Sequence, residues 1–302
     1  MIYIVSSNNS YAIQRFKQEA ERAGVEMCVL DLNGLLRNNF KLYAKANDVL
    51  YIRNPYLKSS PQYIKNIINL GKAFKAMGGR VVDANIVFGQ LGLGKWVDYM
   101  ALGQGGLPIP QTELFDFQSK IIKQMPYILK WVYGMKAKGI FLVRKPEDLS
   151  KVLNLHRKDE WLVQEYVQAK YEYKVICVGF RALPVVLKFK FNKNLGRVDF
   201  NSFNILTDQS KVLFKLPNQF FNTQATVSNP EGQRAAKLLS VRKLAETASK
   251  ILGRELSKVD ILEDYRGMLW VLEVNRFPGL KSFEQLTQYN VIGEFLKYLK
   301  SS

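Results

Sequence analysis

Val259-Asp260-Ile261-Leu262, followed by Leu269-Trp270-Val271-Leu272-Glu273-Val274-Asn275, is the part of the chain from which the rest can be read. The first stretch is an apolar strand with a carboxylate in its middle. The second is the next strand, ending in two more oxygen donors. Glu273 and Asn275 are two residues apart and so project from one face of a strand. Asp264-Tyr265-Arg266-Gly267 lies between the stretches and suits a hairpin connection, which would bring Asp260 to that same face. Two carboxylates and an amide oxygen make a hard donor set of the kind Mg²⁺ takes, with phosphates and water completing its shell. Asp260 is hemmed in by Val259, Ile261 and Leu262, which favours a metal ligand over a solvated strand end.

Composition narrows the chemistry further. The 302 residues are 47% hydrophobic and 23% charged, enough apolar material for a core and a length that predicts two domains or one with an elaborated lobe. No apolar run approaches the length of a bilayer span, and Met1-Ile2-Tyr3-Ile4-Val5 reads as a strand, not a signal peptide. A cytoplasmic protein without membrane contact is therefore expected. Cys28 and Cys177 lie far apart in apolar runs and read as buried thiols. His156 is the only histidine, which excludes His-based triads and His-rich metal centres. An enzyme of this composition works with carboxylates, lysines, arginines and a hard cation. Forty-four Lys and Arg against 26 Asp and Glu leave +18, which points to an anionic partner: phosphates, nucleic acid or an acidic peptide.

Along the chain, apolar runs predict buried parallel strands at 3–6, 25–31, 48–52 and 80–83, with helices at 11–23 and 61–77 between them. A glycine-rich stretch (88–95), a helix (96–102) and a Gly/Pro segment (103–112) follow. Strands at 127–132 and 139–143, with a helix opened by Pro146, form a compact unit ending near 157. Beyond it, 161–167, 173–178 and 183–189 are successive strands of an antiparallel sheet, while the Asn-rich stretch 192–230 fits no element. A long helix at 231–252, the strand pair and a final helix at about 283–299 complete the chain. Gly89-Gln90-Leu91-Gly92-Leu93-Gly94-Lys95 imitates a P-loop, but Trp96 stands where the magnesium-binding Ser or Thr belongs, and a whole βαβ lobe precedes it.

Val259-Asp260-Ile261-Leu262 together with Leu272-Glu273-Val274-Asn275-Arg276-Phe277-Pro278-Gly279-Leu280 resembles the metal-binding end of an ATP-grasp ligase, nearest in type to the RimK-like carboxylate–amine ligases. Gly105-Gly106-Leu107-Pro108-Ile109-Pro110-Gln111-Thr112 is similar to the segment entering that family's central lobe, with Lys95 at the lysine before it. Tyr127-Ile128-Leu129-Lys130 resembles the strand whose last lysine binds nucleotide phosphates, and Leu162-Val163-Gln164-Glu165-Tyr166-Val167 resembles the adenine-binding hinge.

The resemblance covers nearly the whole chain. It implies an ATP-grasp fold, α/β and α+β, with an N-terminal open α/β lobe (1–88), a small central lobe (89–158) and a C-terminal antiparallel-sheet lobe (159–302). ATP is expected between the last two, with Mg²⁺ or, in its place, Mn²⁺. The implied metal ligands are Asp260, Glu273 and Asn275. Lys95, Lys130 and Lys188 would lie along the triphosphate, Gln164, Glu165 and Val167 at adenine, and Glu172 at the ribose. Lys188 and Lys258 are the implied catalytic residues, Lys258 meeting the transferred phosphoryl group.

The implied reaction is phosphorylation of a carboxylate by ATP, then displacement of phosphate by an amine such as an amino acid. The charge, with Lys188, Lys190, Lys193, Arg197, Lys211 and Lys215 set among Phe189, Phe191 and Phe214, makes an acidic peptide or protein tail the expected acceptor. Three departures from the family are visible. The flap reads Gly134-Met135-Lys136-Ala137-Lys138-Gly139, Lys174 and Lys188 stand where relatives carry arginines, and 200–226 does not reproduce the family's acceptor segment. A relative that binds nucleotide without ligation stays open on these grounds, as does a nucleic-acid-binding protein on grounds of charge.

Overall fold

Short runs of β-branched and aromatic residues separated by amphipathic helices build the first lobe: β1 (Ile2–Val5), α1 (Tyr11–Arg22), β2 (Met27–Leu30), β3 (Val49–Ile52), α2 (Pro61–Ala76) and β4 (Arg80–Val81). The four strands are parallel in the order β2-β1-β3-β4. The structure, a computed structural model, describes residues 1–6, 10–31, 44–53, 61–86, 94–122, 124–132, 139–155, 160–192, 197–207, 230–276 and 278–301.

The central part contains α3 (Gly94–Gln104), β5 (Thr112–Leu114), β6 (Tyr127–Trp131), β7 (Ile140–Val143), α4 (Pro146–Leu155) and β8 (Trp161–Glu165). Its strands pair antiparallel in the order β5-β8-β6-β7. The third sheet, β11-β10-β9-β12-β13, is antiparallel and uses β9 (Ala169–Val178), β10 (Arg181–Asn192), β11 (Arg197–Thr207), β12 (Leu256–Asp264) and β13 (Leu269–Asn275). Helix α5 (Pro230–Ile251) covers it, and α6 (Leu280–Thr287) and α7 (Val291–Ser301) end the chain. Among the described residues no helix is long and apolar enough to cross a membrane.

Alternation along β9 explains how this third sheet is buried on both sides. Tyr173, Val175 and Cys177 pack with Val259, Ile261 and Val271 under Leu238, Val241, Ala245 and Ala248 of α5. Ile176 and Val178, with Leu187 and Phe189, face the first lobe instead and share a core with Phe16, Tyr51 and Phe295. The rings of Phe295 and Tyr51 lie 5.2 Å apart, edge to face. A polar clasp secures the same junction: the Asp83 N–H donates to Glu255 Oε1 (2.9 Å) and the Glu255 N–H to Asp83 Oδ1 (2.7 Å). Burial pushes the Asp83 carboxyl up to about 6, opposed by the nearby Arg276.

Three expectations are corrected. The strand after residue 160 belongs to the central sheet, because β8 pairs with β5 and β6; a boundary at 158 therefore cuts through that sheet. Part of the Asn-rich stretch is a strand, β11, paired with β10, whose Phe203 and Ile205 keep the period-2 pattern that its asparagines obscure. The single final helix is two, broken at Gln288, which takes a left-handed conformation (φ 56°) and caps α6. The P-loop imitation up to 93, the flap at 134–138, His156, and Lys193, Lys211 and Lys215 lie outside the described residues.

Phe295 has no exposed surface and closes the core shared by the first lobe and the third sheet. Phe295→Ala is expected to cost about 3–5 kcal/mol of stability, read as a lowered midpoint in urea unfolding.

Candidate active site

β12 and β13 pair so that Asp260 stands opposite Glu273 and Lys258 opposite Asn275. On the other side of β12, β9 sets Lys174 opposite Asp260 and Glu172 opposite Leu262. Because side chains alternate, Glu172, Lys174, Lys258, Asp260, Glu273 and Asn275 share the face turned away from α5. The register shifts between Asp260 and Ile261, leaving Leu272 as an extra residue on β13. This bulge lets Leu272 and Glu273 both reach the cleft side. Leu272 packs there with Leu262, Val167, Ala169 and Trp270, an apolar wall beside the charged groups.

Carboxylates and ammonium groups interleave. Lys258 Nζ is 3.1 Å from Asp260 Oδ2 and Lys174 Nζ is 3.6 Å from Asp260 Oδ1. Lys174 also pairs with Glu172. From the first turn of α3, Lys95 Nζ reaches Glu273 Oε1 at 3.1 Å. Asn275 Nδ2 donates to Asp260 Oδ2 over 3.2 Å. Lys130 enters from the central sheet, only 4% exposed, and donates to the Tyr99 hydroxyl at 2.9 Å. That hydroxyl donates in turn to the Leu272 carbonyl at 2.7 Å.

Protonation follows from this packing. Burial pushes Lys130 down to about 8, against the pull of Glu273, Glu172 and Asp260. Burial also works against ionisation of Glu273, but Lys95 and Lys130 outweigh it and hold that carboxyl below its ordinary value. For Glu172 burial wins, and the group is raised despite Lys174 beside it. Lys174 is raised because Asp260 and Glu172 overcome its burial.

Most of the residues expected at the site converge on it, with differences in detail. Gln164 is buried on the Lys130 face of the central sheet and donates through Nε2 to Thr112 Oγ1 (2.7 Å). Val167 joins the apolar wall. Glu165 turns an exposed carboxylate to the opposite face, and its N–H bonds the Gln111 carbonyl at 2.8 Å. Beside the hinge is a cavity of about 390 Å³ lined by Met125, Pro126, Leu142, Arg144, Tyr166 and Gln168. Glu172 faces the cleft with its carboxylate held by Lys174, an arrangement that does not single it out for a ribose.

Lys188 does not join the others. It stands opposite Tyr173, on the α5 face, with its ammonium 3.6 Å from the centre of the Tyr171 ring. The sequence makes Lys174 and Lys188 look equivalent, but the β9–β10 register sends them to opposite faces, and Lys174 is the one in the cleft. Three contributors were not expected: Asp98 and Tyr99, one helical turn past Lys95, and Arg254. Arg254 Nη2 donates to Asp98 Oδ1 at 2.6 Å and its Nη1 to the Val274 carbonyl. The only trace of the first two in sequence is their helical spacing from Lys95.

Asp260, Glu273 and Asn275 suit Mg²⁺ as a partial shell. Among the described residues no three His, Cys, Asp or Glu are grouped to hold a metal by themselves. Asp260 Oδ1 is nevertheless buried and accepts no hydrogen bond, and the set is all oxygen, as a hard cation completed by phosphate and water requires.

The family model of the RimK-like ATP-grasp domain matches residues 98–189, from α3 through the central sheet and hinge into β10. This stretch of the chain is a RimK-like ATP-grasp domain by similarity. The chain's curated relatives include the probable alpha-L-glutamate ligase of Mannheimia succiniciproducens, 26% identical over 99% of this chain and 97% of the relative. That of Legionella pneumophila is 22% identical over 99% and 95%. The chain also superposes on the ATP-grasp ligase PsnB complexed with minimal precursor, Mg and ADP, with a TM-score of 0.69, 16% identity and coverage of 99% and 96%. It matches the D-alanine–D-alanine ligase of Bacillus anthracis with a TM-score of 0.60, 15% identity and coverage of 99% and 95%. At such identities these likenesses establish the fold.

The Lys174 ammonium is shared by two buried carboxylates. Lys174→Met is expected to destabilise by about 3–5 kcal/mol in urea unfolding, because Glu172 and Asp260 would then face each other without it. Adding Glu172→Gln should recover part of the loss.

Proposed function

We propose that this protein is a Mg²⁺- and ATP-dependent carboxylate–amine ligase that acts on an acidic peptide or protein tail and adds an amino acid to it. The observation that carries the proposal is the convergence of Lys95 and Lys130, from two different elements, on the face that bears Asp260 and Glu273.

Lys95 and Lys258 neutralise Glu273 and Asp260 at 3.1 Å each. Asp260, Glu273 and Asn275 would hold Mg²⁺, which when bound supplies positive charge between the phosphates. With a cation on the carboxylates, both ammonium groups are free to bind phosphate oxygens, and Lys130 adds a third from the central sheet. Val167, Ala169, Leu262 and Leu272 offer the base an apolar wall, and the hinge at 164–167 offers it backbone polar groups. This chain's part in the chemistry is to align the phosphates and stabilise developing charge, which needs no histidine.

The two steps balance simply. A carboxylate oxygen of the acceptor bonds to the γ-phosphorus as the bond to the ADP oxygen breaks. The amine nitrogen then attacks the acyl carbon, phosphate departs with the bonding electron pair, and the nitrogen loses a proton to give the amide. Glutamate is the first amine donor to test, since relatives are named alpha-L-glutamate ligases. Peptide acceptors are encouraged by the likeness to a ligase complexed with a precursor peptide.

The test is ADP release across a panel of amino acids and acidic peptides, with mass spectrometry of the product. Glu273→Gln and Asp260→Asn should each abolish Mg²⁺-dependent turnover while far-UV circular dichroism stays unchanged. Full turnover at limiting Mg²⁺ in either variant removes the metal assignment. Absence of nucleotide binding to the wild type at millimolar ATP removes the ligase.

The acceptor class rests on the charge of +18, more than one nucleotide site needs. Electrostatic steering makes the apparent KM for an acidic peptide rise with salt as the Debye length falls from roughly 10 Å at 0.1 M. A Lys211→Ala/Lys215→Ala double variant should raise that KM at low salt. Salt-independent KM with a wild-type-like variant excludes the acidic tail.

A further inference from the structure

We infer that Tyr99 is a positioning residue that locks Lys130 of the central sheet to the strand carrying Glu273, so that phosphate-binding and metal-binding groups meet a nucleotide as one unit. The inference deepens the ligase reading and rests on it.

Tyr99 is 4% exposed and lies on α3 between two sheets, packed on Val132 and Leu162 of the central one. Its hydroxyl bonds to both sheets, one hydrogen bond buried and the other partly so. It accepts from Lys130 Nζ at 2.9 Å and donates to the Leu272 carbonyl at 2.7 Å. A hydroxyl can serve a donor and an acceptor at once; a phenyl ring can serve neither. Leu272 is the extra residue of the bulge, a position where the ladder leaves backbone groups available. Two residues on, the Val274 carbonyl is taken by Arg254, which is tied to Asp98 on the same helix. Glu273 is thus bracketed by two carbonyls, each fastened to α3, while Lys95 at the start of α3 pairs with Glu273 itself.

The neutrality of the phenol matters here. A carboxylate in its place would neutralise Lys130 and compete with phosphate, whereas the hydroxyl fixes the ammonium and leaves its charge available. Without the hydroxyl, the buried ammonium is drawn towards Glu273, the strongest of the carboxylate attractions on it. It would then occupy a carboxylate that the cation needs.

The experiment is calorimetry of Mg²⁺ with the non-hydrolysable analogue AMPPNP, and of adenosine alone, on the full chain and its Tyr99→Phe, Lys130→Ala and doubly substituted forms. Tyr99→Phe should weaken AMPPNP binding about tenfold and leave adenosine binding unchanged, since the phenol acts through a phosphate-binding lysine. In the Lys130→Ala background the second substitution should add nothing, the signature of two residues acting as one. Independent, multiplying losses overturn the inference, as does equal loss of adenosine and AMPPNP binding, which marks a general defect of folding. If the wild type binds AMPPNP and Tyr99→Phe binds it equally well, only the role of Tyr99 falls. If the wild type binds neither probe, the ligase reading falls and this inference with it.

Discussion

Asp260 and Glu273 face each other across neighbouring strands in a largely buried cleft, an arrangement that repels itself unless positive charge separates them. At an effective dielectric constant of 20, two unit charges 4 Å apart interact by about 4 kcal/mol, so the neutralising groups cannot be incidental. They come from every part of the surrounding structure: Lys174 from β9, Lys258 from β12, Lys95 from α3 and Lys130 from the central sheet. Four ammonium groups against the three carboxylates of Glu172, Asp260 and Glu273 leave one positive charge. A divalent cation would add two more, the sign and scale a triphosphate requires. The same lysines that hold the carboxylates apart are those that the proposed nucleotide would meet.

The rest of the fold keeps these groups in register. The third sheet is covered by α5 on one side, and on the other the first lobe covers the part of the sheet beside the cleft. The first lobe is joined to it by a continuous apolar core and by the reciprocal Asp83–Glu255 hydrogen bonds, which satisfy buried polar groups on both partners. β12 begins at that clasp and carries Asp260 four residues beyond its first residue, so the position of the Asp260 strand is fixed from its start.

Much of this was legible in the sequence. The parallel strands of the first lobe, the βαβ order and the hairpin bearing Asp260, Glu273 and Asn275 follow from local periodicity, and local periodicity decides them. What it could not decide depends on pairing between distant segments. β8 reads like its successors β9 and β10, and only its partners β5 and β6 assign it to another sheet. Lys174 and Lys188 both sit in apolar strands, and only the β9–β10 register separates their faces. Tyr99 and Arg254 act through backbone carbonyls, Leu272 and Val274, that leave no residue-type signature for a reader of sequence to notice.

The hinge itself has a mechanical consequence. The chain crosses between the central sheet and the base of the molecule at two places, after Pro110 and after Glu165, and the crossings are side by side, joined by the Glu165 N–H and the Gln111 carbonyl. Just before the first crossing, the Pro108 carbonyl is pinned to the N–H of Val271 on β13. Two adjacent, cross-linked connections permit rotation about the line through them and resist sliding or twisting. Rotation of the central sheet about that line would carry Lys130 away from Tyr99, so their hydrogen bond holds the two sheets in the arrangement described above. The same displacement would part the Lys95 N–H from the Val132 carbonyl and Tyr99 from Val132 and Leu162, while the ion pairs of the floor would stay as they are.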